Sequence, residues 1–174
     1  MLVATFQSSC KSTEIIKKMK KANITKSVLA GLFSTVTIGV LTLLTYKTEF
    51  GVFLIASFGS SMVLLFGYPE SPFAQPKNIF FGHLLSALVG ILFTTFFGIS
   101  FITMGLAVGI AVMLMMAFKI AHPPAGANPI IVMIGGASFE FLLFPVMAGA
   151  ITIIIGGIIY NRLILKRKYP QTWK

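Results

Sequence analysis

Charge is what this sequence has least of. Only 10% of its 174 residues are charged, and four acidic residues stand against fourteen Lys and Arg. Soluble domains carry about a quarter of their residues as charge. With 56% hydrophobic residues and a mean hydropathy of +0.93, a soluble fold is excluded. Cysteine is nearly absent too. The lone Cys10 rules out an intrachain disulfide and a cysteine-based metal site, and leaves the redox compartment open. There is no H-E-x-x-H pair, no glycine-rich phosphate loop and no nucleophile elbow. The chain therefore reads as a non-enzyme with no cofactor required. Its basic residues accompany no soluble domain, which argues against a nucleic-acid partner.

What is present is apolar sequence in runs. Six segments stand out, at about 28–46, 50–67, 79–97, 101–118, 129–139 and 141–161, and most have the roughly 18 residues or more that a bilayer core of about 30 Å requires. The fold class is all-α, a polytopic transmembrane bundle. Lys11, Lys17, Lys18, Lys20, Lys21 and Lys26 precede the first run, and Arg162, Lys166, Arg167, Lys168 and Lys174 follow the last. Such clusters mark the cytoplasmic or stromal side and attract anionic lipid. Both termini then share one face, which requires an even number of crossings: six, or four if two segments fail to span. The fifth segment is too short for a straight span. It reads as a broken span using part of 122–128, or as a re-entrant half-helix. Residues 1–26 form a basic tail, either an interfacial helix or a solvated arm. Residues 27–162 form the membrane domain, and 163–174 a second basic tail.

Small residues recur at every fourth position: Gly31, Thr35 and Gly39; Gly82, Ser86 and Gly90; Gly105 and Gly109; Ala148, Thr152 and Gly156. In lipid such stripes let helix backbones approach closely. They fit a compact bundle or a homo-oligomer.

One stretch breaks the apolar pattern, Lys119-Ile-Ala-His-Pro-Pro-Ala-Gly-Ala-Asn-Pro129. Pro is tolerated at the first position of a helix, and the residue before it is pushed out of helical angles. His122 is thus expected to precede a helix beginning at Pro123, Asn128 to N-cap one beginning at Pro129, and the incoming helix to stop near Ala121. An earlier loop, Glu70-Ser-Pro-Phe-Ala-Gln-Pro76, echoes it: both end Ala-amide-Pro. Pro-interrupted segments in corresponding places point to a transporter's site. Backbone N–H groups freed at such starts suit an anion.

The His122-Pro-Pro-Ala-Gly-Ala run resembles the signature of the HPP family of integral membrane proteins. Ser57-Phe-Gly-Ser-Ser-Met-Val-Leu-Leu-Phe-Gly-Tyr-Pro-Glu-Ser-Pro-Phe-Ala-Gln-Pro-Lys-Asn78 and Gly82-His-Leu-Leu-Ser-Ala-Leu-Val-Gly90 resemble further blocks of that family. The resemblance covers about residues 28–162. It implies about four transmembrane helices and, since plastid and cyanobacterial members are linked to nitrite transport, a carrier or channel for nitrite or a similar small anion. The implied locations are a bacterial or archaeal plasma membrane or a plastid envelope, with the termini cytoplasmic or stromal.

The expected substrate contacts are His122, Pro123, Pro124, Gly126, Asn128, Ser71, Gln75, Lys77, Lys119 and His83. His122 and Glu140 are the proton-coupling candidates, because a histidine changes charge near working pH. Most have a plainer alternative: a helix-terminal ring bonded to a backbone carbonyl for His122, capping for Asn128 and Gln75, packing for His83, a solvated loop charge for Lys77, a helix C-terminus for Lys119, an interface for Glu140. Two other functions stay open. One is a redox protein with His83 and His122 as paired haem ligands; the other is a non-transporting membrane scaffold.

Overall fold

A computed structural model describes residues 24–47 and 54–171. Residues 1–23 of the tail proposed as an interfacial helix, including Cys10, lie outside them, and residues 24–26 belong to the first helix. The described residues form six helices and no strand: α1 Ile24–Lys47, α2 Ala56–Gly67, α3 Pro76–Phe97, α4 Phe101–Ala117, α5 Asn128–Gly135 and α6 Leu142–Ile164. Each corresponds to one apolar segment of the sequence. At 1.5 Å per residue the 24, 22 and 23 residues of α1, α3 and α6 reach about 33–36 Å, enough to cross a bilayer core. The 17 residues of α4 reach about 26 Å, whereas the eight of α5 reach only about 12 Å.

Local chemistry sets the turns. Gly98 takes a positive φ of 69° after α3, and a reciprocal cap then starts α4. Ser100 Oγ accepts from the Thr103 N–H at 3.1 Å, and Thr103 Oγ1 accepts from the Ser100 N–H at 2.8 Å. The tight connection folds α4 back along α3. At its far end α4 closes at Ala117, four residues earlier than the prolines alone suggest. The Lys119 N–H donates to the Met116 carbonyl and the Ile120 N–H to the Met115 carbonyl. This is a Schellman closure with Lys119 in the left-handed position, φ 54°. The following Ile120 packs on Met115 and Ala125.

α3 is the hub, touching α4, α5, α6 and the 3-10 turn Pro123–Ala127. The start of α1 and the end of α6 meet at one end of the bundle, where the Tyr160 hydroxyl donates to the Lys26 carbonyl at 3.4 Å. The C-terminal segment folds back there as well. The Tyr169 hydroxyl donates to the Ala74 carbonyl at 2.8 Å, and the Gln171 N–H donates to Gln75 Oε1 at 2.7 Å. Burial pushes the Tyr169 hydroxyl pKa up.

The glycine stripes divide in use. A Cβ at Gly157 would meet Leu65 of α2 at 2.5 Å, and one at Gly156 would meet Thr37 Oγ1 of α1 at 3.0 Å. α6 thus seats two helices on adjacent glycines. Gly31, Gly39, Gly105 and Gly109 instead face open space. α4 packs through Ala107, Ala111 and Met115, so the glycines on α1 and α4 do not mediate packing among the described residues. Large apolar side chains cover the outer faces of both helices, Val36 and Leu43 on α1 and Ile102 and Met113 on α4 among them.

Candidate functional site

The fifth segment is broken, an irregular stretch with a 3-10 turn followed by α5, and is laid along α3. Four positions of α3, each four residues from the next, form the track. Asn78 Nδ2 donates to the Ala121 carbonyl at 2.9 Å. A Cβ on Gly82 would sit 2.8 Å from His122 Cβ and 3.1 Å from the Ile120 carbonyl oxygen. Ser86 Oγ donates to the Ala125 carbonyl at 2.6 Å. A Cβ on Gly90 would lie 2.8 Å from Pro129 Cα. The chain from Ala121 to Pro129 thus descends roughly three turns of α3 before α5 continues in the same direction. Non-helical backbone within a membrane domain is tolerated where protein satisfies it, and here Asn78 and Ser86 of α3 supply donors to it. Along the Gly82–Ser86–Gly90 stripe the first two positions therefore accommodate the irregular segment and Gly90 the start of helix α5, where the sequence suggested a helix throughout.

Four pieces of chain converge beside this track. Ser57 and Ser61, one turn apart on α2, face His83 of α3 and His122 and Asn128 of the broken segment; the fourth piece is the loop carrying Phe73. All five polar side chains are buried. Ser61 Oγ is 3.0 Å from His83 Nε2 and 2.8 Å from His122 Nε2, and it also lies 3.2 Å from the Ser57 carbonyl, to which it can donate. His122 Nδ1 donates to the Phe73 carbonyl at 2.7 Å. Asn128 Nδ2 donates to the His83 carbonyl and lies 3.0 Å from His83 Nδ1, while Asn128 Oδ1 accepts from Ser57 Oγ at 2.7 Å. The two imidazoles meet edge to face, 4.9 Å between centroids, with Phe58 edge-on to His83 on another side. Buried polar groups left unpaired are costly; in this cluster every side-chain donor and acceptor has a partner.

His122 stands ahead of Pro123 in extended geometry, φ −134° and ψ 100°, as the two prolines require. Asn128 does not cap. It is the first residue of α5, and no side-chain cap bond is made there; the amide is drawn instead to the buried carbonyl and ring of His83. Of the other residues singled out by sequence, Pro123, Pro124 and Gly126 build the 3-10 turn, with Pro124 buried. Ser71 accepts from the Phe73 N–H and starts the other turn, Pro72–Ala74. Gln75 ties its own loop together, donating to the Pro69 and Ser71 carbonyls. Lys77 lines a separate open groove of about 450 Å³ with Pro76, Phe80, Phe81 and Ile154. Lys119 is exposed at the α4 turn. Glu140, exposed beyond α5, accepts from Ser138. The two Ala-amide-Pro loops do come together, through His122 and Phe73. N–H groups expected to be free for an anion are engaged, however: Phe73 to Ser71 Oγ, Ala74 to the Ser71 carbonyl, Ala125 to the His122 carbonyl.

A haem does not fit the histidine pair. Axial imidazoles must hold an iron and a flat macrocycle between them, whereas here one hydroxyl oxygen bridges the two Nε2 atoms. Among the described residues no group of three His, Cys, Asp or Glu is placed to hold a metal. Sequence reasoning missed Ser57 and Ser61. Their signal was a serine pair at helical i, i+4 spacing within an apolar run, where a hydroxyl facing lipid would be costly.

The HPP transmembrane region matches residues 19–170, which include α1 to α6 and the whole cluster. The chain belongs to the HPP transmembrane family. Two transmembrane proteins of Dictyostelium discoideum are similar to it. One is 34% identical over 90% of this chain and 54% of its own length; the other is 37% identical over 69% of this chain and 45% of its own. The chain thus spans about half the length of the curated relatives it matches. No solved structure matches it.

Proposed function

We propose that this HPP protein is a non-enzymatic membrane transporter or channel for a small inorganic anion, with nitrite the first substrate to test. The observation that supports this is the contact between two buried imidazoles, His83 on the long helix α3 and His122 on the discontinuous segment beside it. Ionisable groups at such depth are costly and mark substrate or proton paths, and discontinuous helices build transporter sites. Because each polar atom of the cluster already has a partner, an anion would enter by exchange with one of those bonds. The His122–Phe73 contact, between the two proline loops, is the natural gate. The basic ends of the chain would then lie on the cytoplasmic or stromal side, against anionic lipid.

The test is uptake by proteoliposomes, screened across nitrite, nitrate, formate and chloride with and without a pH gradient. Wild-type protein should move at least one of these, His122→Ala should abolish uptake per folded protein, and His122→Gln should remove any dependence on the gradient. Failure of wild-type protein to move any anion would reject the reading. The competing reading, a non-transporting scaffold, draws on Gly31, Gly39, Gly105 and Gly109, whose open faces could seat a second helix. A stable partner or self-association lost in Gly105→Leu would favour it.

A further inference from the structure

The protons of the buried cluster can be assigned one by one. A carbonyl oxygen only accepts, and an amide nitrogen only donates. The Asn128 amide atom 3.0 Å from the His83 carbonyl must therefore be the nitrogen, with Oδ1 left to accept from Ser57. That nitrogen also faces His83 Nδ1 at 3.0 Å, so Nδ1 is unprotonated, and neutral His83 carries its hydrogen on Nε2. From there it donates to Ser61 Oγ. His122 is the opposite tautomer, because its Nδ1 must donate to the Phe73 carbonyl. Its Nε2 accepts, and the Ser61 hydroxyl hydrogen is the donor that reaches it, over 2.8 Å. The chain of bonds runs one way, from Ser57 through Asn128, His83, Ser61 and His122 to Phe73.

We propose that His122 Nε2 and the Ser61 hydroxyl form a binding site for one exchangeable proton, with the Ser57 carbonyl as the hydroxyl's second resting place. When a proton binds at His122 Nε2, the O–H···N bond from Ser61 is lost and an N–H···O bond to the same oxygen replaces it. The Ser61 hydrogen turns to the Ser57 carbonyl, 3.2 Å away, and Ser61 Oγ then accepts from both histidines. No hydrogen bond is lost on balance. His83 has no such freedom. A proton on its Nδ1 would oppose the Asn128 amide, and flipping that amide would set its oxygen against the His83 carbonyl. One proton therefore enters, at one atom.

Among the described residues, only His83 of the titratable groups on the elements around His122 touches it. Tyr68, Glu70 and Lys119 are exposed, Lys77 lines the outer groove, Arg167 faces Tyr160 and Tyr169 is bonded to Ala74. α2, α4 and α5 carry no titratable side chain. This inference deepens the transport reading and rests on it only for the proton's use; the site is tested without a transport assay.

The test is ¹⁵N NMR of histidine-labelled full-length protein in lipid nanodiscs, titrated from alkaline to acidic pH. Protonated and bare ring nitrogens resonate far apart, and Asn128→Asp and Ser61→Ala help assign the two rings. Expected are opposite tautomers at alkaline pH, Nε2–H for His83 and Nδ1–H for His122, followed by uptake of one proton per chain at His122 alone. Ser61→Ala should weaken that proton's binding about tenfold, since a charge-assisted bond is lost, and Ser61→Thr should restore it. Identical tautomers, first protonation at His83, or wild-type titration in Ser61→Ala would each overturn the proposal. The wild-type spectra decide the tautomers even if no variant folds. Expected spectra from protein that moves no anion would sink the transport reading and leave the proton site standing.

Discussion

Gly82→Ala is the sharpest probe of the broken segment. The added methyl would sit 2.8 Å from His122 Cβ and 3.1 Å from the Ile120 carbonyl oxygen. Carbon atoms pack best at about 3.5–4.0 Å, so roughly an ångström of separation must be found. Neither neighbour is a flexible side-chain end. One is a Cβ fixed to backbone ahead of two prolines, the other is backbone itself. Moving His122 by that distance stretches its bonds to Phe73 and Ser61, now 2.7 and 2.8 Å, past useful hydrogen-bond length. Overpacking costs about 1–3 kcal/mol, and each lost neutral hydrogen bond about 1 kcal/mol. The expected destabilisation is about 3 kcal/mol, and at about 2–4 °C per kcal/mol for a chain of this length the melting temperature should fall by roughly 6–12 °C. Thermal unfolding in nanodiscs measures it. Gly105→Ala is the internal control: a Cβ there meets nothing within 4 Å, and the change should stay within about 0.5 kcal/mol. If Gly82→Ala melts with Gly105→Ala, the 121–129 segment does not lie on α3 as described.

Lys119→Gly should stabilise the protein by about 1 kcal/mol, because a left-handed position costs a side-chain-bearing residue that much and glycine almost nothing; a lower melting temperature would refute the Schellman closure. Tyr169→Phe should cost about 1 kcal/mol at neutral pH through loss of the bond to Ala74. Burial raises the folded-state pKa of this hydroxyl above its ordinary value of 10.0. Its contribution is therefore fully present below about pH 10 and fades as pH rises toward the folded pKa; wild-type and Tyr169→Phe stabilities should converge in alkali, and parallel curves would contradict this. An impermeant thiol reagent should label Cys10 and a cysteine at exposed Lys168 from the same side of a sealed vesicle, while labelling from opposite sides would reject an even number of crossings.

The helices were legible in the sequence because length and apolarity alone decide them, and all six runs reappear as α1 to α6. The broken segment was legible in part: prolines 123, 124 and 129 announce an interruption, and eleven apolar residues cannot span. What the sequence could not show is which neighbour completes that segment. Gly82, Ser86 and Gly90 signal close approach, yet small residues do not distinguish a helix from an irregular strand of chain as the visitor. The pairing of His83 with His122 depends on α2 bringing Ser61 between them, a contact across 22 residues in one direction and 61 in the other. Asn128 was misread as a cap because local rules see only local donors, and its partners are 45 and 71 residues away.

The segment that rides on α3 also constrains how the molecule is made. A nascent helix leaving the translocation channel meets its own backbone needs and can partition into lipid alone. Residues 121–127 cannot, since part of their backbone is bonded by Asn78 and Ser86 of α3. Released singly, this stretch would carry bare carbonyls into hydrocarbon at several kcal/mol per group. α3 must therefore still be within reach, unclaimed by other helices along its Asn78–Gly90 face, when residues 119–135 emerge. The tight Gly98–Ser100 hairpin keeps α4 folded along α3, so one end of that face is already close when synthesis reaches His122. Biogenesis is thereby ordered by the same four-residue spacing that shapes the finished site.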